Sequence, residues 1–146
     1  MFTVEEQIRI QKPVAEVYQY LITPSNYPKW ISDLKSVQAP GSFKSGVTFE
    51  EVVIFQGKDK RSKGEILETV ENRKVVMRIN QILSGPKLMP TRTFQVEADG
   101  NGTLLRWRTE VKTGGFMRLM EPFLPKMFRE KKSGFLRALK GILEQV

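Results

Sequence analysis

The feature that most constrains this chain is a hydrophobic period that runs from 2 to 3.6, back to 2, and to 3.6 again. Residues 1–10 alternate, with Phe2, Val4, Glu6, Ile8 and Ile10 on one face, as in a half-buried strand. Lys12-Pro13 ends that pattern and opens a helix, because the first helical turn has no use for the N–H that proline lacks. Val14, Val17, Tyr18, Leu21 and Ile22 keep helical spacing to residue 22. Thr23-Pro24-Ser25-Asn26 breaks it, and a second short helix is predicted through Tyr27 and Trp30 to about Leu34. From 35 to 112 the period is 2 again, in short segments punctuated by Pro40-Gly41, Ser45-Gly46, Gly57-Lys58-Asp59, Glu71-Asn72-Arg73 and Ser84-Gly85-Pro86. Residues 88–98 and 103–112 flank Asp99-Gly100-Asn101-Gly102, the clearest hairpin signal in the chain. Strand after strand with tight turns predicts an antiparallel meander of six strands, seven with the first.

From Gly115 the apolar positions return to helical spacing: Phe116, Leu119, Met120, Phe123, Leu124, Met127 and Phe128, resumed by Phe135, Leu136, Leu139 and Leu143. Pro122 and Pro125 predict a break near the start of this helix of residues 115–146. Its opposite face is assigned Lys126, Arg129, Lys131, Lys132, Arg137 and Lys140. The 146 residues suit one domain, 1–146, with no repeat or linker. The expected class is α+β: a seven-stranded curved antiparallel sheet around a long C-terminal helix, with two short helices after the first strand. A curved sheet cannot lay its whole inner face against one helix, so a cavity is expected between them.

Composition removes much chemistry. The chain has no cysteine and no histidine, which excludes disulfides, thiol nucleophiles, Cys/His zinc sites and Ser-His-Asp triads. No cofactor or metal is expected. Acid–base work would fall to carboxylates, Lys, Arg or the tyrosines Tyr18, Tyr20 and Tyr27. The N-terminus lacks a basic region followed by an apolar run, and no stretch approaches 18 apolar residues, so the expected address is the cytoplasm. The net charge of +8 comes from residues 57–92, with nine basic and four acidic groups, and 113–146, with seven and three. Lys58, Lys60, Arg61 and Lys63 are expected together on one turn. Solvated faces are the favoured explanation. Weak contact with anionic membranes or docking of a protein partner are the alternatives. Nucleic acid is disfavoured, because no aromatic–basic interleaving accompanies the charge.

Several spaced residues carry a resemblance over essentially the whole chain. These are Val4-Glu5, Ile10-x-x-Pro13-x-x-x-Val17, Asn26-Tyr27-Pro28-x-Trp30 running into Leu34 and Val37, and Gly46-Val47-Thr48-Phe49. Gly102-Thr103-x-Leu105 and Leu136-x-x-Leu139-Lys140-x-x-Leu143-Glu144 follow. Together they resemble the START-like (SRPBCC) superfamily, in its polyketide cyclase/dehydrase and lipid-transport branch. The resemblance implies a helix-grip fold and an apolar pocket for a ring-bearing or acyl ligand. It carries over no catalytic residue.

On this reading the ligand-binding residues are Trp30, Phe55, Met77, Phe94, Trp107, Met120 and Phe123, with core packing as the competing role of each. Glu51, Glu68, Arg92 and Thr109 share faces with inward apolar residues. An inward charge must pair, reach water or meet a ligand, and the planar Arg92 head suits a carboxylate or enolate oxygen. The favoured function is binding or carriage of a hydrophobic small molecule, such as a lipid, isoprenoid, polyketide or aromatic. The alternatives are a polyketide aromatase/cyclase-type enzyme and an accessory protein that docks a partner.

Overall fold

Turns of two residues, Gln56-Gly57 and Gly100-Asn101, and longer connections elsewhere convert the alternating segments into one antiparallel sheet. The computed structural model describes residues 1–85 and 88–145, with Phe116 and Met117 as backbone only. Pro86 of the expected turn, the Phe116 side chain and the helix end at Val146 lie outside the described residues. The elements are β1 (Phe2–Ile10), α1 (Val14–Leu21), α2 (Tyr27–Trp30), β2 (Leu34–Gln38), β3 (Thr48–Phe55) and β4 (Lys58–Val70). β5 (Lys74–Ile82), β6 (Leu88–Asp99), β7 (Gly102–Thr113) and α3 (Leu124–Glu144) complete the chain. The strand order is β1-β7-β6-β5-β4-β3-β2, a meander with β1 added to the free edge of β7. The sheet curls into a half-barrel around α3, which is the helix-grip arrangement.

Local chemistry moves several boundaries. The β3–β4 turn is Gln56-Gly57, both left-handed with φ of 52° and 75°, as a two-residue hairpin turn demands. Lys58 and Asp59, expected in that turn, already belong to β4. Gly100 opens the β6–β7 turn with φ of 63°, so Asp99 faces Gly102 as the sequence suggested. α2 stops at Trp30, and Leu34 begins β2 rather than ending a helix. α3 begins at Leu124, not Gly115, which places Pro125 in its first turn, where it costs no hydrogen bond.

Two β-bulges shift the register of β4 against β5, and the first reverses an expected face. In β4 the register slips between Ile66 and Glu68 against β5, which turns Glu68 outward to pair with Lys74. A second slip, opposite Lys63 and Gly64, turns Gln81 out to solvent and brings Ile82 to the inner face.

The core is an aromatic cluster on the concave face. Trp107 stacks on Phe94 at 5.2 Å between ring centroids and meets Trp30 edge-on at 5.3 Å. Tyr27 packs against Trp30, Phe43 and Phe94, and its buried hydroxyl donates to the Leu21 carbonyl at 2.6 Å. Leu136 and Leu139 of α3 close over this cluster. Leu124 and Phe128 join Phe2, Val4 and Val111 in a second one, near the start of the helix. Truncating a ring so enclosed costs about 3–5 kcal/mol.

Candidate functional site

Between the concave face and α3 the packing stops short, leaving a cavity of about 210 Å³. Its walls are mainly apolar, with Val53, Phe55, Ile79, Ile82, Trp107 and Phe135 among them. Into this space the strand pattern also sends charge, because Glu51 on β3 and Arg92 on β6 keep inward parity. Two strands, β4 and β5, separate their backbones. At about 4.8 Å per strand the gap is roughly 14 Å along the sheet. Curvature shortens it to a chord that two long side chains span. The Arg92 guanidinium donates twice to the Glu51 carboxylate, at 2.8 and 2.9 Å. Glu51 is 2 % exposed. Burial disfavours the charged guanidinium, but the charge and hydrogen bonds of Glu51, with Tyr27, outweigh it and raise its pKa.

A second cation enters from the helix. Lys132 is buried, at 3 % exposure, and lines the cavity. Its Nζ donates to the carbonyls of Val4 at 3.0 Å and Trp107 at 3.3 Å, and sits 4.8 Å from the Trp107 ring centroid. Burial first, and then the positive Arg92, push its pKa down to about 7, while Glu6 and Glu5 pull the other way. Sequence reading placed Lys132 on the solvated face of the helix, and the structure corrects this. The signal was present: steps of four from Leu124 pass through Phe128 and Lys132 to Leu136, so Lys132 stands in the middle of the buried stripe.

Thr109 has the inward position its strand parity implied. It lines the cavity, and its buried hydroxyl has no hydrogen-bond partner among the described residues. It is the cross-strand neighbour of Arg92 on one side and of Val4 on the other. Of the residues expected to bind ligand, Phe55, Arg92 and Trp107 line the cavity. Trp30, Met77 and Phe94 are buried in the adjoining core. Met120 and Phe123 are outside both, 38 % and 69 % exposed in the turn before α3. There Pro122 and Pro125 delay the helix and leave these side chains facing solvent with Leu119. Lys58, Lys60, Arg61 and Lys63 lie along β4 rather than on a turn. Lys60 lines the cavity, while Arg61 approaches Glu50 at 3.8 Å. Lys131 and Asp33, 2.6 Å apart, tie α3 to the loop before β2 beside the cavity.

Among the described residues, no three Asp or Glu side chains gather as a metal site, and no helix is long and apolar enough to cross a membrane. Chemically, the cavity offers apolar walls, a guanidinium already engaged by a carboxylate, and a lysine amine able to gain or lose a proton near neutrality.

A family model for "Polyketide cyclase / dehydrase and lipid transport" matches residues 1–144. No curated protein matches the chain. Among solved structures it is similar to TTHA0849 from Thermus thermophilus, with TM-score 0.81 and 15% identity, covering 99% of this chain and 98% of that one. It is also similar to a START superfamily protein from Mycobacterium smegmatis, with TM-score 0.76 and 18% identity over 98% and 97% of the two chains. DynU16, from the dynemicin biosynthetic locus, aligns at TM-score 0.70 and 14% identity, over 97% of this chain and 47% of its own.

Proposed function

This chain belongs to the polyketide cyclase/dehydrase and lipid transport family of START-like proteins, and we propose that it binds a compact hydrophobic molecule between sheet and helix. The observation that carries this reading is the apolar-walled cavity of about 210 Å³ beneath α3. Natural ligand pockets more often measure about 300–1,000 Å³, so the space favours one ring system or a short acyl chain over a two-chain lipid. Binding proceeds by desolvation against Phe55, Ile79 and Phe135, with the polar groups at Thr109 and Lys132 setting orientation. Trp107 lies on the wall, so an aromatic ligand is expected to quench its fluorescence. Native mass spectrometry of gently purified protein, followed by quenching titrations with naphthalene-type probes, tests the reading. A protein that is empty and whose tryptophan fluorescence is unmoved by every probe would refute it.

An enzyme of the cyclase type is the second reading, favoured by Lys132, whose amine can accept a proton at neutral pH. Its test is ring closure of a linear poly-β-ketone, abolished in Lys132→Met while an uncharged probe still binds.

A further inference from the structure

The cavity holds an unbalanced set of charges. Its charged lining residues are Asp33, Glu51, Lys60, Arg61, Arg92, Lys131 and Lys132. Asp33 is taken by Lys131, Glu51 by both arms of Arg92, and Arg61 leans on Glu50 outside the cavity. Lys60 is half-buried on the β3–β4 hairpin. Lys132, buried, has carbonyl oxygens and the Trp107 ring for partners and, among the described residues, no carboxylate in salt-bridge contact. The carboxylates that act on it, Glu5 and Glu6 of β1, are exposed and half-buried, and Glu6 is itself approached by Arg129 at 3.7 Å. Donors are also in surplus. The Thr109 hydroxyl and the Trp107 indole N–H are buried without hydrogen-bond partners among the described residues, and an indole nitrogen can only donate. The register places Thr109 between Arg92 and Val4, the residue whose carbonyl Lys132 holds.

We propose that the cavity selects compact apolar molecules bearing one carboxylate, and that this carboxylate seats against Lys132 with the Thr109 hydroxyl beside it. The proposal rests on the reading of the cavity as a ligand site and adds the ligand's chemical class. Arg92, the residue that sequence alone offered for an anion, has its fork filled by Glu51, so the pair acts as a fixed wall and Lys132 meets the ligand. A carboxylate there supplies both the missing acceptor and the missing negative charge. It also couples binding to protonation. Burial and then Arg92 on β6 push the pKa of Lys132 down to about 7, against the pull of Glu6 and Glu5 on β1, and Glu51 on β3 acts on it through Arg92. An anion beside it favours the ammonium, so binding at pH 8 takes up a proton, whereas at pH 6 the proton is already in place.

Isothermal calorimetry with 2-naphthoate and its neutral isostere 2-naphthamide tests this, at pH 6 and pH 8 in two buffers of different ionisation enthalpy. The expected result at pH 6 is naphthoate binding at least about tenfold tighter than naphthamide, the scale of one charge-assisted contact. At pH 8 naphthoate binding takes up about 0.9 proton, the fraction of amine unprotonated one unit above its pKa. In Lys132→Met both the preference and the uptake are lost. The uptake arm uses the unmodified protein, so it stands even where the variant fails to fold. Equal affinities with no proton uptake overturn the carboxylate proposal and leave the cavity reading intact. Binding of neither probe overturns both.

Discussion

The Glu51–Arg92 pair offers the sharpest test of how the concave face is held. In Glu51→Leu, the Arg92 side chain, 19 % exposed, is left without its carboxylate and within reach of the Lys132 charge. Breaking one partner out of a buried pair costs about 3–5 kcal/mol. With an unfolding entropy of about 2.1 cal/mol/K per residue, the 146 residues give about 0.3 kcal/mol/K, so the melting temperature should fall by roughly 10–16 °C. Arg92→Met should cost a similar amount. The double variant replaces both groups with apolar volume and should lie within about 1–2 kcal/mol of the native protein, because the desolvation of both ions is removed together. Urea unfolding followed by tryptophan fluorescence, with thermal melts by circular dichroism, gives the four corners of the cycle and a coupling energy of about 3 kcal/mol or more. A fall of less than about 3 °C in Glu51→Leu, or a double variant as damaged as the sum of the singles, would mean that water reaches the pair and that the chord across the sheet is not a buried strut.

Lys132 gives a pH signature of known sign. Its folded pKa lies below the unfolded value, so the unfolded chain binds more protons between about pH 7 and 10, and stability contributed by this group rises with pH through that window. Urea unfolding should show a native-minus-Lys132→Met difference that grows by up to about 1.4 kcal/mol per pH unit from pH 7 to 9.5; a flat difference refutes burial of the amine. We further propose a weak membrane contact through the exposed Leu119 and Phe123, with Arg118 and Lys126 close in sequence. In that case co-sedimentation with anionic vesicles should fall in Phe123→Ser and weaken in high salt, and no binding at low salt removes the idea.

The period changes made the fold legible because each strand's parity and each turn's residues agreed with the meander. What failed was local. Leu67 is the extra residue of a bulge, and no alternation rule announces a bulge, so Glu68 was read inward when it faces solvent and Lys74. Met120 and Phe123 fit a helical stripe, yet Pro122 and Pro125 postpone the helix until Leu124 and so remove them from it. The inward parity of Glu51 and Arg92 was readable. Their partnership was not, since it spans two intervening strands and depends on curvature, which one sequence does not display. Lys132 was a conflict between residue type and position: its charge argued for solvent and its spacing from Phe128 and Leu136 for the core. Position decided it, because the neighbouring turns of the helix are clamped to the sheet on either side.

That conflict is also what separates a site from ordinary core here. At position 132 a leucine would continue the stripe made by Leu124, Phe128 and Leu136, and would avoid desolvating an ammonium. The chain instead places a lysine there, beside a cavity and near a second cation, the half-buried Arg92. The hydrogen bonds to Val4 and Trp107 and the face of the Trp107 ring lower the cost of that burial. They do not remove it, and burial still holds the pKa of the amine well below the usual lysine range. A local choice that works against packing, on a helix stripe otherwise made of Leu124, Phe128, Leu136 and Leu139, points to a task other than stability. The Glu51–Arg92 pair is different in kind. It closes its own charge balance across the hollow and keeps the two sides of the half-barrel at a fixed span. One buried polar group therefore shapes the cavity, and the other is left with chemistry to offer inside it.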